Sequence, residues 1–248
     1  MKTVYFHGNP GAPAELALLG GEAVRSWIAP DRAALPLEPE ARIGQLVANI
    51  MELGAQGPVR LVGFSAGAHV ALQVAARLPA ADLTLHLVSP AGPLEIGDYL
   101  GRMAGGPIFR AAMQRPRLFA ALARAQSFCA GRLPRLLTYF LFTTAQGDDR
   151  ALKADAQFVS PYRQVLQSCL IAGLPSYKAE IEAYVRPWAG LLADVVQPVT
   201  IWQGSADNWT PPEMAQSMAQ RLPNVRALHL LAGQSHFSTL RTALAAMA

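Results

Sequence analysis

The chain predicts an α/β fold. Three observations carry that reading: short β-branched and aliphatic runs recur near both ends, helix-period segments separate most of them, and one long central stretch breaks the alternation. Strand-like runs lie at residues 3–6, 24–28, 59–62, 83–88, 199–202 and 226–231, and helix-period segments at 14–19, 41–53, 66–78, 213–222 and 239–247. Parallel neighbours need crossover connections, and intervening helices supply them. The pattern therefore predicts a mostly parallel twisted sheet of about six strands flanked by helices. Thr210-Pro211-Pro212-Glu213 adds a helix start, with Thr210 placed to cap, Pro211 at the first helical position and Glu213 closing a capping box. Between Pro90 and Gln197 no convincing strand occurs, and seven prolines from Pro93 to Pro187 punctuate helix-like pieces. The expected organisation is a core of residues 1–90 and 197–248 with a helical lid, 91–196, inserted into it.

Composition bounds the function. With 248 residues, 52% hydrophobic and 15% charged, the chain can build one sizeable core, and its composition is that of a soluble globular protein. No run reaches the ~20 apolar residues that span a bilayer, because Arg132, Pro134 and Arg135 bound the most apolar stretch, 136–142. Met1-Lys2 leads directly into the first strand, without an apolar leader or a small-residue cleavage site, so the expected location is cytoplasmic. Cys129 and Cys169 are then expected as free thiols. The formal charge of +4 comes without a zinc-finger spacing, an RNP-like motif or a basic helix, so nucleic acid is not an expected partner.

Gly63-Phe64-Ser65-Ala66-Gly67 follows one strand-like run directly and opens a helix-like one. A serine on so sharp a strand-to-helix turn is held in strained backbone angles with its hydroxyl exposed, and the flanking glycines let the turn close. In a chain with 20 glycines such a pentapeptide can arise by chance, and its strand–turn–helix setting is what gives it weight. A nucleophilic serine needs a base, and the base needs a carboxylate to hold it. Asp207 lies just past the strand-like run 199–202, and His236 just past 226–231. All three therefore fall beyond carboxyl ends of strands, where parallel open sheets bind their ligands.

With Ser65, Asp207 and His236 in that chain order, the sequence resembles the α/β-hydrolase superfamily over residues 1–89 and 198–248. The resemblance implies Ser65 as nucleophile, Asp207 as acid and His236 as base. His7-Gly8-Asn9-Pro10-Gly11 resembles the family's oxyanion loop, which implies that the backbone N–H groups of Asn9 and Ala66 form the oxyanion hole. Two features depart from the family pattern: the antiparallel strands that usually begin the sheet are missing, and the histidine sits in Gly-Gln-Ser-His rather than Gly-Gly-His.

Each residue also has a plainer reading. His236 could cap a helix and Asp207 a turn. Asp194 competes as the acid but precedes its strand, and Ser89-Pro90-Ala91-Gly92, the other family position for the acid, holds no carboxylate. His7, His69, His86 and His229 lack metal-ligand spacing, so no metal is expected. Neither a Gly-x-Gly-x-x-Gly nor a Gly-Lys-Ser/Thr string occurs, so no nucleotide cofactor is expected. Arg102, Arg110, Arg115, Arg117, Arg124, Arg132 and Arg135 carry the only charges between Tyr99 and Gly147. They read either as a solvated face or as a pocket rim for an anionic or amphiphilic acyl substrate, and Phe109, Met113, Phe119, Phe128, Tyr139, Phe140 and Phe142 read either as its apolar wall or as core packing of the lid helices. The function expected is a serine hydrolase cleaving a small to medium carboxylic ester or a related acyl compound through an acyl-enzyme on Ser65. An acyltransferase, a C–C bond hydrolase or a lyase with the same triad are the alternatives, and a ligand receptor with a vestigial triad is a more distant one.

Overall fold

The computed structural model describes residues 1–248. Five strands, β1 (Lys2–Phe6), β2 (Val59–Phe64), β3 (Leu83–Val88), β4 (Val199–Gly204) and β5 (Val225–Leu231), form one sheet in sequence order, and every pairing is parallel. Crossover helices make this possible: α1 (Ala14–Gly20) and α2 (Pro39–Gly54) link β1 to β2, and α3 (Gly67–Ala76) links β2 to β3. Period-two alternation sends side chains to both faces. Val4, Phe6, Leu61, Leu85, Leu87 and Ile201 pack with α2 and α3, whereas Tyr5, Val62, Phe64 and Val88 share the opposite cluster with α1.

The sheet has five strands rather than the expected six. Residues 24–28 do not form a strand, because Gly21 adopts φ 59° and starts a 3-10 turn, Gly21–Val24, that takes up the first part of the run. Only Ile28 reaches the sheet, exchanging hydrogen bonds with Thr3 and Tyr5 at the β1 edge, before Pro30 removes the next-but-one donor.

Between β3 and β4 the chain is helical: α4 (Gly106–Gln114), α5 (Pro116–Arg132), α6 (Pro134–Thr143), a 3-10 segment Gly147–Ala154, α7 (Ala156–Gln167), a π turn Ser168–Ala172 and α8 (Leu174–Tyr184). Pro107, Pro116, Pro134 and Pro175 sit in first turns, where a missing N–H costs nothing. Two helices complete the fold, α9 (Pro212–Ala219) after β4 and α10 (His236–Met247) after β5. Thr210 does not cap α9; its hydroxyl turns inward to Asp207, and Pro211 occupies the cap position.

The β3–β4 connection shares its core with the sheet. Phe158 stacks on Tyr162 at 5.1 Å and meets Phe142 and Phe237 edge-on, so α6, α7 and α10 are joined by one aromatic cluster. Phe158 is fully buried. Phe158→Ala should therefore cost about 3–5 kcal/mol of unfolding free energy in denaturant titration; a loss below about 1 kcal/mol would mean that the cluster does not bind the connection to the sheet.

Candidate functional site

The turn after β2 is tightly closed. Ser65 has φ 53°, a left-handed conformation that non-glycine residues rarely adopt, and its own N–H donates to Val88 O on β3. The turn fits only because both glycines are bare: a Cβ on Gly67 would stand 2.1 Å from Phe6 O, and one on Gly63 would stand 2.6 Å from Ala68 Cα. The Ser65 turn thus rests directly on the carboxyl end of β1, where the next loop begins.

That loop, His7 to Gly11, is held from several sides. Glu15, buried in α1, accepts from Gly8 N–H at 3.1 Å and from the Tyr5 hydroxyl at 2.7 Å. Arg32 donates Nη1 to His7 O at 2.8 Å, and the Asn9 side-chain amide donates to Glu180 at 2.6 Å. Glu180 lies on α8 and also receives Arg32, through Nε and Nη2, and Arg42, at 2.6 Å. Burial pushes the Glu180 carboxyl up, but the Arg32 charge and hydrogen bonds outweigh it and hold it at about 2. His7 is pushed down to about 3, by burial first and by Arg32 second, so its neutral ring donates Nδ1–H to Gly8 O. With these anchors in place, the backbone N–H groups of Asn9 and Ala66 have no intramolecular acceptor, and both line one cavity with Ser65.

Asp207 and His236 meet at the ends of β4 and β5, with Nδ1 of the histidine 2.9 Å from Oδ2 of the carboxylate. The turn-capping reading of Asp207 is also met, by its other oxygen, because Oδ1 accepts from Trp209 N–H at 2.8 Å and Thr210 N–H at 3.0 Å. The carboxylate is thereby fixed in rotation, with Oδ2 turned to the imidazole and to the Thr210 hydroxyl at 3.1 Å. Burial raises its affinity for a proton, while the histidine charge and the donors around it outweigh burial and leave it below its ordinary value. Asp194, the competing acid, is exposed at the amino end of β4.

His236 is the first residue of α10, and the connection holds it in place. Asp149 is fully buried and accepts from Phe237 N–H at 2.9 Å and Ser238 N–H at 2.8 Å, supplying the carboxylate that the helix start needs. Gly147, at φ 50°, approaches so closely that a Cβ would meet Gly233 O at 2.2 Å. Phe64 at 4.6 Å and Trp209, stacked at 5.7 Å, flank the imidazole. Ser65 and His236 line the same small void beside Phe64 and Trp209, and no direct hydrogen bond joins them.

The cavity over Ser65 holds about 310 Å³ and is walled by Met103, Ile108, Phe109, Leu137, Phe140, Leu141, Ile181 and Trp209. Of the expected aromatic wall only Phe109 and Phe140 line it; Phe119 and Phe142 are buried in the core, and Met113, Phe128 and Tyr139 face solvent. The expected rim of arginines is likewise absent from its wall. All seven are exposed, and Arg102 pairs with Glu213 at 2.9 Å. A second cavity of about 430 Å³ lies on the other side of Asn9 against Arg32, Glu180 and Cys169, whose thiol is pushed up to about 12 by burial and is inert. Cys129 and Cys169 are both free, no group of three His, Cys, Asp or Glu side chains is arranged to hold a metal ion, and no helix is long and apolar enough to cross a membrane.

Sequence reasoning missed Glu15, Arg32, Asp149 and Glu180. Glu15 lay within a predicted helix without a distinguishing pattern, and the other three act across 25 to 171 residues of chain. Ser89, in the stretch that holds no carboxylate, has φ 42°; its hydroxyl lies 3.5 Å from His236 O, and its carbonyl lies 3.1 Å from the Thr210 hydroxyl.

The model of the alpha/beta hydrolase family matches residues 4–248. Among solved structures, the chain is similar to a thermophilic esterase from Thermogutta terrifontis, at 16% identity, with 100% of this chain and 88% of that one covered and a TM-score of 0.69. It is also similar to a bromoperoxidase from Bacillus anthracis (16%, 98% and 87% covered, TM-score 0.66) and to the enol-lactonase from Burkholderia xenovorans LB400 (16%, 98% and 86%, TM-score 0.58). No curated protein sequence matches it.

Two outcomes follow from the geometry. Gly67→Ala must displace the end of β1 and should cost at least about 2 kcal/mol of stability; wild-type stability would mean that the close approach is not a constraint. The second concerns pH. His7, His69 and His86 are held at about 3, 4 and 4 against an ordinary 6.5, and Glu180 at about 2 against 4.5. All four are depressed on folding, so the unfolded chain binds protons that the folded one refuses. Their stabilisation is complete above about pH 6.5 and lost as the pH falls toward 2, and thermal scans should show a Tm that declines steadily from pH 7 to pH 4. A flat Tm over that range would contradict the burial of these groups.

Proposed function

Because the chain belongs to the α/β-hydrolase family, we propose that it is a serine hydrolase that cleaves carboxylic esters with an apolar acyl group through an acyl-enzyme on Ser65. The observation that carries this reading is the pair of unpaired backbone N–H groups, Asn9 and Ala66, sharing one cavity with the Ser65 hydroxyl. Donors of this kind are arranged for charge that exists only in a transition state.

In the proposed cycle His236 takes the Ser65 proton at Nε2 as Oγ attacks the ester carbonyl. The carbonyl electrons move onto oxygen, and the Asn9 and Ala66 N–H groups hold the resulting oxyanion. Asp207, anchored through Oδ1, accepts Nδ1–H and stabilises the imidazolium. Collapse expels the alkoxide, which takes the proton from His236 and leaves as the alcohol. Water, deprotonated by the same imidazole, then releases the acid and restores the serine. The β3–β4 connection serves as lid and wall. With 12 of the 19 residues lining the cavity hydrophobic and no basic side chain except at a distance, a carboxylate on the acyl group would be buried without a partner. A cytoplasmic setting fits the two free thiols.

Ser65→Ala should lower kcat by about 10³-fold or more while leaving the melting temperature near wild type, and it should abolish labelling by a fluorophosphonate. Asp207→Asn should lower kcat by about two to four orders of magnitude. Labelling of Ser65→Ala at the wild-type rate would sink the assignment. Paired esters test the cavity: a neutral acyl chain should give a higher kcat/KM than its isostere ending in a carboxylate, and the reverse order would show that the exposed arginines reach the substrate.

A further inference from the structure

The solvent side of α5 and α6 is unlike the rest of the surface. On α5, after Pro116, the exposed positions are 117, 118, 121, 124, 125, 128, 131 and 132, which recur at three and four residues and therefore form one stripe along the helix. That stripe holds Leu118 and Phe128 among Arg117, Arg124 and Arg132. On α6 the exposed stripe is Arg135, Leu136, Tyr139 and Phe140, and Leu133 bridges the two helices. Phe128, Tyr139 and Phe140 are 62%, 61% and 61% exposed, and the Tyr139 and Phe140 rings meet edge-on at 5.8 Å. Ile171 adjoins the stripe beside Gly131 and is itself half exposed. No acidic residue occurs anywhere between Tyr99 and Gly147.

We propose that this α5–α6 face docks on an anionic lipid surface, with the aromatic and aliphatic side chains entering the headgroup layer and the arginines pairing with lipid phosphates. Apolar side chains interleaved with charges of one sign on helices too short to span a bilayer fit an interface that is apolar within and anionic at its rim. Arginine suits both parts, because its stem lies along apolar matter while its guanidinium stays at the phosphates. A second copy of the chain is a poor occupant, since a two-fold pairing of this face sets arginine against arginine. A nucleic acid would meet the guanidinium groups but leave Leu118, Leu133 and Leu136 without an apolar partner. Continuity with the cavity supports the lipid as well: Phe140 belongs both to the exposed face and to the wall of the cavity above Ser65, so the two open onto each other. The docking does not depend on the hydrolytic reading.

Flotation or sedimentation with vesicles tests it, using the full chain. Vesicles of phosphatidylcholine containing about 30% phosphatidylglycerol should bind the protein at least about tenfold more tightly than pure phosphatidylcholine, and the difference should shrink as salt shortens the Debye length from about 30 Å at 0.01 M to about 3 Å at 1 M. Two exposed variants separate the contributions. The Arg117→Gln, Arg124→Gln, Arg132→Gln, Arg135→Gln quadruple variant and the Phe128→Asp, Tyr139→Asp double variant should each lose binding by about tenfold or more, with melting temperatures close to wild type. Equal binding to both vesicle types, or wild-type binding by either variant, would overturn the proposal. So would a dimer in sedimentation equilibrium that the double aspartate variant dissolves, because the face would then be filled by another copy.

Discussion

The contact between the Ser65 turn and the end of β1 sets the geometry of everything around it. A Cβ on Gly67 would lie 2.1 Å from Phe6 O, so the turn that carries Ser65 and the strand that opens the His7–Gly11 loop approach too closely for any side chain between them. One close approach thereby brings together two N–H groups from distant parts of the sequence, Asn9 and Ala66, without either being spent on an internal acceptor. Strain at Ser65 is the other side of the same arrangement. Its left-handed backbone is held by Ser65 N–H on Val88 O and by the Ser65 carbonyl, which accepts from Ala68 and Ala91.

Buried charge does the remaining positioning, and here magnitude decides what it is for. Taking Arg32, Arg42 and Glu180 out of water costs several kcal/mol per ion, and their mutual attraction roughly repays that, so the cluster is a poor source of net stability. Its geometry is specific, however. Glu180 meets Arg32 through two bonds, Arg42 through one and the Asn9 side chain through another, while Arg32 passes the constraint on to His7 O. Glu15 holds the other side of the loop through Gly8 N–H. The ions define where the loop lies, and the apolar clusters on either side of the sheet supply the cohesion.

Much of this was legible in the sequence, for identifiable reasons. The parallel sheet announced itself through local runs such as Leu83–Val88, and Ser65, Asp207 and His236 through their places just past such runs. These are local signals, set by period and by turn chemistry. The run at 24–28 was misleading because its apolar content belongs to a 3-10 turn and a single bridge, which composition does not distinguish from a strand. Thr210 looked like a helix cap because threonine before proline usually is one, yet a buried carboxylate three residues earlier competes for its hydroxyl. The arginines were legible as a charge asymmetry but not as a location, since helix facing within the connection depends on which stripe the aromatic cluster of Phe142, Phe158 and Phe237 draws inward.

Asp149 and Glu180 place the β3–β4 connection in a different light from a cover that could be exchanged or removed. One carboxylate caps the helix on which His236 stands, and the other fixes the loop that presents Asn9. A truncated enzyme retaining only the sheet and its crossovers would keep Ser65 on its turn but would expose α10's first amides and leave Arg32 without its counter-ion. Exchanging this segment for one from a relative, a common route to altered selectivity, transfers two structural duties along with the pocket wall. In this chain the pocket wall and the site's supports are one segment, bound to the rest by two carboxylates.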